Sequence, residues 1–215
     1  MTSIRSFSEI LLDDKSVPQQ ERERFLGIIN AESLRLTRLL DELLDMNRLE
    51  AGTTDMQLQA LDLGECVTGA VETMSGVTQG AGMTINVDVA PGEFVIDGNA
   101  DRVRQILINL ISNAEKYNDV DSPRVEIRGR ARGDLTHLDI VDNGGGITRR
   151  EAATVFEKFA RGDRSDRSHG AGLGLPISRA IMRAMGGDLT VEFKPDGSSF
   201  FRLAFRSSRQ VDNLS

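Results

Sequence analysis

One cysteine, two histidines, no uninterrupted apolar run of membrane-spanning length and a shortage of basic charge mark what this 215-residue chain does without. A lone Cys66 excludes an internal disulfide framework and fits a reducing cytosol. Its plain reading is a small buried hydrophobe. His137 and His169 are too few for a multi-histidine metal site. Lacking a membrane-spanning run, the chain is expected to be a soluble piece. Thr, Ser, Arg and Glu interrupt the apolar residues at its start, so no signal peptide is visible. Twenty-six Lys and Arg against 33 Asp and Glu give a formal charge of −7. With a pI near 5.0, this argues against nucleic acid, which is usually met by a basic face. No Gly-Lys-Ser/Thr occurs, so there is no Walker-type phosphate loop.

What is present falls into two parts. Residues 1–52 read as a helical hairpin. Ile4, Phe7, Ile10, Leu11 and Leu12 form a helical stripe that stops near Asp13-Asp14-Lys15, and Val17-Pro18 marks the turn. From Gln19 to Glu50 the pattern is helical again. Ile29, Leu36 and Leu43 recur every seven residues, and Phe25, Leu39 and Met46 share a second row that Glu32 interrupts. Leu26, Leu40 and Leu44 widen the stripe beyond a two-helix seam, which predicts a four-helix core built from two copies. A helix of about 32 residues is about 48 Å long, too long to bury its stripe alone. Packing within one chain only is the plainer alternative.

Gly52 supplies a C-cap, and residues 53–60 are expected to be a linker. Residues 61–206 alternate. Met56-Gln-Leu58 is a short strand candidate, and Asp62 N-caps a helix to about Val77. Met83–Val89 and Glu93–Ile96 follow as strands, then a helix from Asp101 through Tyr117. Strands at Arg124–Arg130, Leu135–Asp142, Leu189–Phe193 and Ser199–Phe205 complete the pattern, and residues 207–215 form a polar tail. The fold class is therefore α+β, with a helical hairpin followed by a two-layer α/β sandwich.

Three motifs stand in order within the sandwich. Asn109-Leu-Ile-Ser-Asn113-Ala-Glu-Lys116-Tyr117 comes first, Asp142-Asn-Gly144-Gly-Gly146-Ile147 second, and Gly170-Ala-Gly172-Leu173-Gly174-Leu175 third, with Phe156-Glu-Lys-Phe159 between the last two. Together they resemble the N, G1, F and G2 boxes of the sensor histidine kinases of two-component signalling. The resemblance runs from Ser3 to about Phe205. Thr2–Leu12 is similar to the segment that follows the phosphoacceptor histidine box in that family. The box itself, with its His-Glu or His-Asp pair, is not found in the sequence, so the phosphoacceptor histidine is expected to precede Met1. Met1 is accordingly expected to be a boundary inside a longer protein.

The resemblance implies ATP and Mg²⁺ as ligands, with Asn113 as the direct metal ligand and Asn109 nearby. Asn109 and Asn113 are four residues apart and share a helix face. A neutral amide oxygen suits magnesium when phosphates already bring negative charge. Lys116, one turn on, puts an ammonium near the phosphates, and Tyr117 is expected to stack on or flank the adenine. Asp142 accepts hydrogen bonds but cannot donate, which suits the exocyclic amino group of adenine and not the carbonyl of guanine. Gly144 and Gly146, with Ile147 after them, let backbone approach the base. Gly170, Gly172 and Gly174 lead into Leu175-Pro176 at a helix start, where free N–H groups and the helix dipole bind phosphate. The polar stretch from Arg161 to His169 is expected to be a mobile lid, with Arg161 its phosphate cation and Phe156 and Phe159 its apolar anchors. Plainer readings stand beside these. Asparagines on a helix can face water, Asp-Asn-Gly can be an ordinary turn, and the phenylalanines can be core. His137 falls on the face opposite Leu138 and Ile140 and is expected to be exposed.

By resemblance, the parent protein transfers the γ-phosphoryl of ATP to a histidine and then to an aspartate of a response-regulator receiver domain. The implied partners are a second copy, through the hairpin, and that receiver. Nucleic acid is not among them, and membrane is reached only through segments outside this chain, whose location is cytoplasmic. Gyrase B and mismatch-repair ATPases share the nucleotide fold but place a glutamate at the first N-box position. Here that position is Asn109, and Glu115, six residues on, faces elsewhere. A non-catalytic ATP-binding dimer scaffold is the other alternative.

Overall fold

The structure, a computed structural model, describes residues 2–13, 16–52, 56–160 and 172–208. It divides into two compact units, Met1–Asn47 and Arg48–Ser215.

The first unit is the helical hairpin. Helix α1 spans Thr2–Asp13 and helix α2 spans Gln19–Glu50, running past the unit boundary. The break falls at Val17-Pro18, as the geometry before proline requires, and Pro18 O accepts the Arg22 N–H at 2.9 Å as α2 begins. The Phe7 and Phe25 rings stack with centroids 4.8 Å apart, joining α1 to α2. Leu26, Leu40 and Leu44 remain 51%, 62% and 54% exposed. Among the described residues no helix is long and apolar enough to cross a membrane.

The second unit is the two-layer sandwich. Its elements are β1 (Gln59–Asp62), α3 (Leu63–Gly80), β2 (Thr84–Asp88), β3 (Val95–Gly98), α4 (Ala100–Tyr117), β4 (Arg124–Arg132), β5 (Leu135–Asp142), α5 (Arg149–Ala152), α6 (Gly174–Ala184), β6 (Asp188–Phe193) and β7 (Ser199–Arg206). Five strands make one sheet in the order β2-β4-β5-β7-β6. Strand β2 runs parallel to β4, with Ile85 opposite Val125. The other neighbours are antiparallel, with Ile127 opposite Ile140 and Ile140 opposite Phe201. Strands β1 and β3 form a separate antiparallel pair.

Alternation decides which face closes. Val125, Ile127, Leu138, Ile140, Leu203 and Phe205 are buried on the sheet, and Val103, Ile106, Leu107, Leu110 and Ile111 are buried on α4. Their 3.6-residue spacing turns one stripe of α4 inward, at about 1.5–3 kcal/mol for each large side chain fully buried. Helix α3 adds Leu63, Val67 and Ala70, and α6 adds Ile177, Ile181 and Met182. Asp62 caps α3, its Oδ1 accepting from Glu65 N at 3.1 Å. Cys66 is buried, and burial pushes its thiol pKa up.

Several sequence expectations shift. The strand placed at Met56–Leu58 forms instead at Gln59–Asp62, across the end of the linker expected at 53–60, because its partner β3 fixes the register. Helix α4 begins at Ala100, capped by Asn99, whose Oδ1 accepts from Arg102 N at 3.2 Å. His137 is half-buried rather than exposed. On its face of β5, Asp139 is paired bidentately with Arg202 (2.7 and 2.8 Å), and His137 itself stands opposite Arg130 of β4 and Ala204 of β7. Burial is the largest cause that lowers the His137 pKa, followed by the nearby Arg202 charge.

Candidate functional site

Helix α4 is the spine on which the motifs converge. Asn109 sits midway along it, and its Nδ2 donates to Ser178 Oγ on α6 at 2.9 Å. A Cβ built on Gly174 would stand 2.3 Å from Asn109 Oδ1. Only glycine lets the start of α6 come this close to the amide, which joins the first motif to the third. At the other end of α4, the C-cap residue Asn118 donates from Nδ2 to Asn143 Oδ1 at 2.9 Å. That joins the first motif to the second.

Asn113 and Lys116 lie on α4 between these two junctions. Asn113 is half-buried and Lys116 exposed. Among the described residues nothing hydrogen-bonds the Asn113 amide. Its carbonyl oxygen is therefore available as a hard ligand, which fits magnesium sharing its shell with phosphate oxygens and water. Among the described residues no group of three or more His, Cys, Asp or Glu is placed to hold a metal ion. Tyr117 is 48% exposed at the end of the helix.

Asp142 ends β5. Its Oδ1 accepts the Gly144 N–H at 2.9 Å, leaving Oδ2 to accept from elsewhere. Burial pushes the carboxyl pKa up from the usual range, against the pull of the Gly144 N–H and the Lys194 charge. Two residues hold the turn that follows. Asn143 Oδ1 accepts from Arg124 N at 2.7 Å and its Nδ2 donates to Ser122 O at 3.0 Å, tying the turn to the loop after α4. Buried Ser199 on β7 accepts the Ile147 N–H at its Oγ, 2.6 Å away. Gly146, at φ +64°, would bring any Cβ within 2.9 Å of that oxygen.

In the third motif, buried Leu173 precedes α6 and supplies no side-chain cap. Among the described residues no side-chain hydrogen bond to the Gly174 or Leu175 N–H is found at this positive end of the helix dipole, and Pro176 occupies the first turn without needing one. Gly172 adopts φ +69°, and a Cβ there would come within 2.7 Å of Ala160 O. Phe159 N donates to Gly172 O at 3.1 Å, which brings the phenylalanine motif to the third glycine motif. Phe159 itself is at φ +64° and 60% exposed, and the lid it was expected to anchor lies outside the described residues. Phe156 is half-buried, with the Arg179 guanidinium 4.6 Å from its ring centroid. Arg161, His169 and Gly170 lie outside the described residues.

The structure thus brings together Asn109, Asp142, Gly144, Gly146, Ile147, Phe156, Gly172, Leu173 and Gly174, with Asn113, Lys116 and Tyr117 along the same helix and Leu175 in the first turn of α6. Sequence reasoning missed Asn143, Ser178 and Ser199, whose partners lie 19 to 69 residues away. Only Asn143 carried a local signal, through its place in an Asp-Asn-Gly turn.

Known proteins resemble this chain in sequence and in fold. Residues 98–209 match the family described as histidine kinase-, DNA gyrase B-, and HSP90-like ATPase. Residues 1–52 match the His Kinase A (phospho-acceptor) domain, although they contain no histidine. The chain is 32% identical over 203 residues to the sensor protein KdpD of Escherichia coli K12, covering 94% of this chain and 22% of KdpD. It therefore spans about a fifth of that relative. The histidine kinase AdeS of Acinetobacter baumannii shares the fold, with a TM-score of 0.75 over 97% of this chain and 95% of that one at 21% identity. Full-length ShkA, solved in complex with AMPPNP, gives a TM-score of 0.74 over 96% of this chain and 43% of ShkA at 25% identity.

Proposed function

The chain belongs to the histidine kinase-, DNA gyrase B-, and HSP90-like ATPase family, and from that premise we propose that it binds Mg-ATP for γ-phosphoryl transfer to a histidine. The observation that carries the reading is the convergence on α4 of an acceptor-only carboxylate, a free amide oxygen and an uncapped helix start. Asp142 Oδ2 accepts from the adenine amino group, and the turn held by Asn143 and Ser199 brings Gly144, Gly146 and Ile147 against the base. Tyr117 flanks the ring. Leu173, Gly174 and Leu175 present the helix start to the phosphate chain, with Gly170, Gly172 and Arg161 on its approach and Phe156 behind them. Asn113 holds magnesium, with Asn109 and Lys116 beside it. When bound at Asn113, magnesium would supply positive charge against the phosphates.

In the transfer, the bond between the γ-phosphorus and its bridging oxygen breaks, and a bond from phosphorus to a histidine nitrogen forms. Hydrolysis is disfavoured because Asn109, an amide held by Ser178, cannot act as a general base on water. Onward transfer to a receiver aspartate, a homodimer through residues 1–52 and a cytoplasmic location belong to the same reading. So do a linker near 53–60, a catalytic domain over 61–206 and a tail from 207.

Residues 1–52 contain no histidine, so this chain is expected to bind ATP without labelling itself. Incubation with γ-labelled ATP tests this. No acid-labile, base-stable label should appear on the chain, while a hairpin carrying a phosphoacceptor histidine, supplied in trans, should accept one. Self-labelling would make His137, His169 or a hydroxyl the acceptor. Failure of transfer in trans would favour the second reading that the missing histidine supports, a non-catalytic ATP-binding scaffold.

A further inference from the structure

Arg179, on the second turn of α6, touches two elements at once. Its Nε donates to Asp188 Oδ1 at 2.9 Å and its Nη2 to Asp188 Oδ2 at 3.1 Å. The same guanidinium stands 4.6 Å from the centroid of the Phe156 ring. A two-point hydrogen bond fixes the plane of the fork, which a lysine ammonium cannot do. Asp188 is itself well fixed. Arg183 Nε reaches its Oδ1 at 3.2 Å, and its own neighbour Leu189 donates from backbone N at 2.9 Å. Burial pushes the Asp188 pKa up, but the hydrogen bonds from Arg179, Leu189 and Arg183 outweigh it and hold the carboxylate ionised.

Phe156 belongs to a segment with little burial of its own. Helix α5 spans only Arg149–Ala152 and has no buried residue. Phe159 is exposed, and Phe156 is only half-buried. A second ring contact and a backbone bond are among the ties that hold the segment. The Arg149 guanidinium lies 4.5 Å from the Phe193 ring at the end of β6. Phe159 N donates to Gly172 O at 3.1 Å, beside the start of α6. The segment is therefore held to α6 and β6 by cations over aromatic faces at both ends, where a packed core would ordinarily do it.

We infer that Arg179 is a positioning residue. Pinned by Asp188, it fastens Phe156 against the first turns of α6 and so sets the segment that borders the uncapped helix start. Arg179 acts through Phe156 and is not itself in contact with nucleotide. The inference rests on the reading of that helix start as the phosphate site, and it predicts an effect confined to phosphate-bearing ligands.

Calorimetry on the full chain with Mg-ATP and with adenosine tests it. Arg179→Ala should weaken Mg-ATP binding about five- to tenfold, the scale of a lost partly buried cation–π contact, and leave adenosine within about twofold. Phe156→Leu keeps the volume and removes the aromatic face, and should do the same. The double variant should be no weaker than either single one, since both remove one contact. Arg179→Lys, which keeps a cation over the ring, should recover part of the loss. Equal losses for adenosine and Mg-ATP, additive single effects, or unchanged Mg-ATP affinity would overturn the inference. If Arg179→Ala fails to fold, Phe156→Leu and Arg179→Lys still decide it, because both leave Asp188 a basic partner. A wild-type chain that binds neither ligand would overturn the phosphate-site reading, and the inference with it.

Discussion

The two units solve the burial problem in opposite ways. In the sandwich, Ile106, Leu107, Ile127 and Leu138 are sealed between α4 and the sheet, so the unit closes its core with its own residues. In the hairpin, Leu26, Leu40 and Leu44 stay more than half exposed, and an aromatic stack of Phe7 on Phe25 joins its helices. A sheet with helices on one face can complete a core within a single chain. Two helices cannot, because a stripe wider than one seam needs more than one neighbour. The difference teaches where stability should depend on a second molecule and where it should not.

The largest effect should come from the open unit. Leu36→Asp combined with Leu43→Asp places two charges in the heptad row and should abolish self-association, giving a monomer that still binds nucleotide. Sedimentation of the wild-type chain as a monomer at high concentration would break the comparison, since nothing would then cover the stripe. In the closed unit, Ile106→Ala should cost about 2–5 kcal/mol, the range for large-to-small changes in a packed core. Chemical denaturation should show the same loss at every protein concentration, because no partner contributes to that core. A concentration-dependent loss would mean that the sandwich also borrows its closure.

The smallest effect sharpens the contrast inside the closed unit. Burial raises the Asp142 pKa, so the folded state holds its proton to a higher pH than the unfolded chain does. Ionised Asp142 therefore subtracts stability above that raised pKa, and the penalty disappears as pH falls through it. Asp142→Asn should raise Tm at neutral pH by about 1 °C while losing the nucleotide. A clear drop in Tm would instead make Asp142 a structural residue.

Much of this was legible in the sequence, and the reasons differ by element. Helix α4 could be read because its inward stripe is a local signal, although its start was expected at Asp101 and the Asn99 cap was not read. Strands β4 and β5 could be read from alternation. Strand β1 was misplaced because its register is set by β3, more than 30 residues on. The glycine motifs were legible because backbone conformation and close approach are written in the residue type. Gly174 against Asn109 is such a case. Ser199, Ser178 and Arg179 were not, since a serine or an arginine carries no sign of the distant atom it will meet. The backbone of Phe159 was not legible for a related reason. Its backbone bond to Gly172 and its positive φ go with an exposed ring, and no local pattern shows that.

In the function we propose, the sandwich recognises adenine through the Asp142 carboxylate, which can only accept. Calorimetry of the wild-type chain with Mg-ATP and Mg-GTP, repeated with Asp142→Asn, tests it most directly. Mg-ATP should bind at least about a hundredfold more tightly than Mg-GTP, because guanine would leave a half-buried carboxylate facing a carbonyl, and Asp142→Asn should lose most of the ATP affinity. Equal affinity for the two nucleotides, or an Asp142→Asn variant that binds ATP as the wild type does, would contradict it.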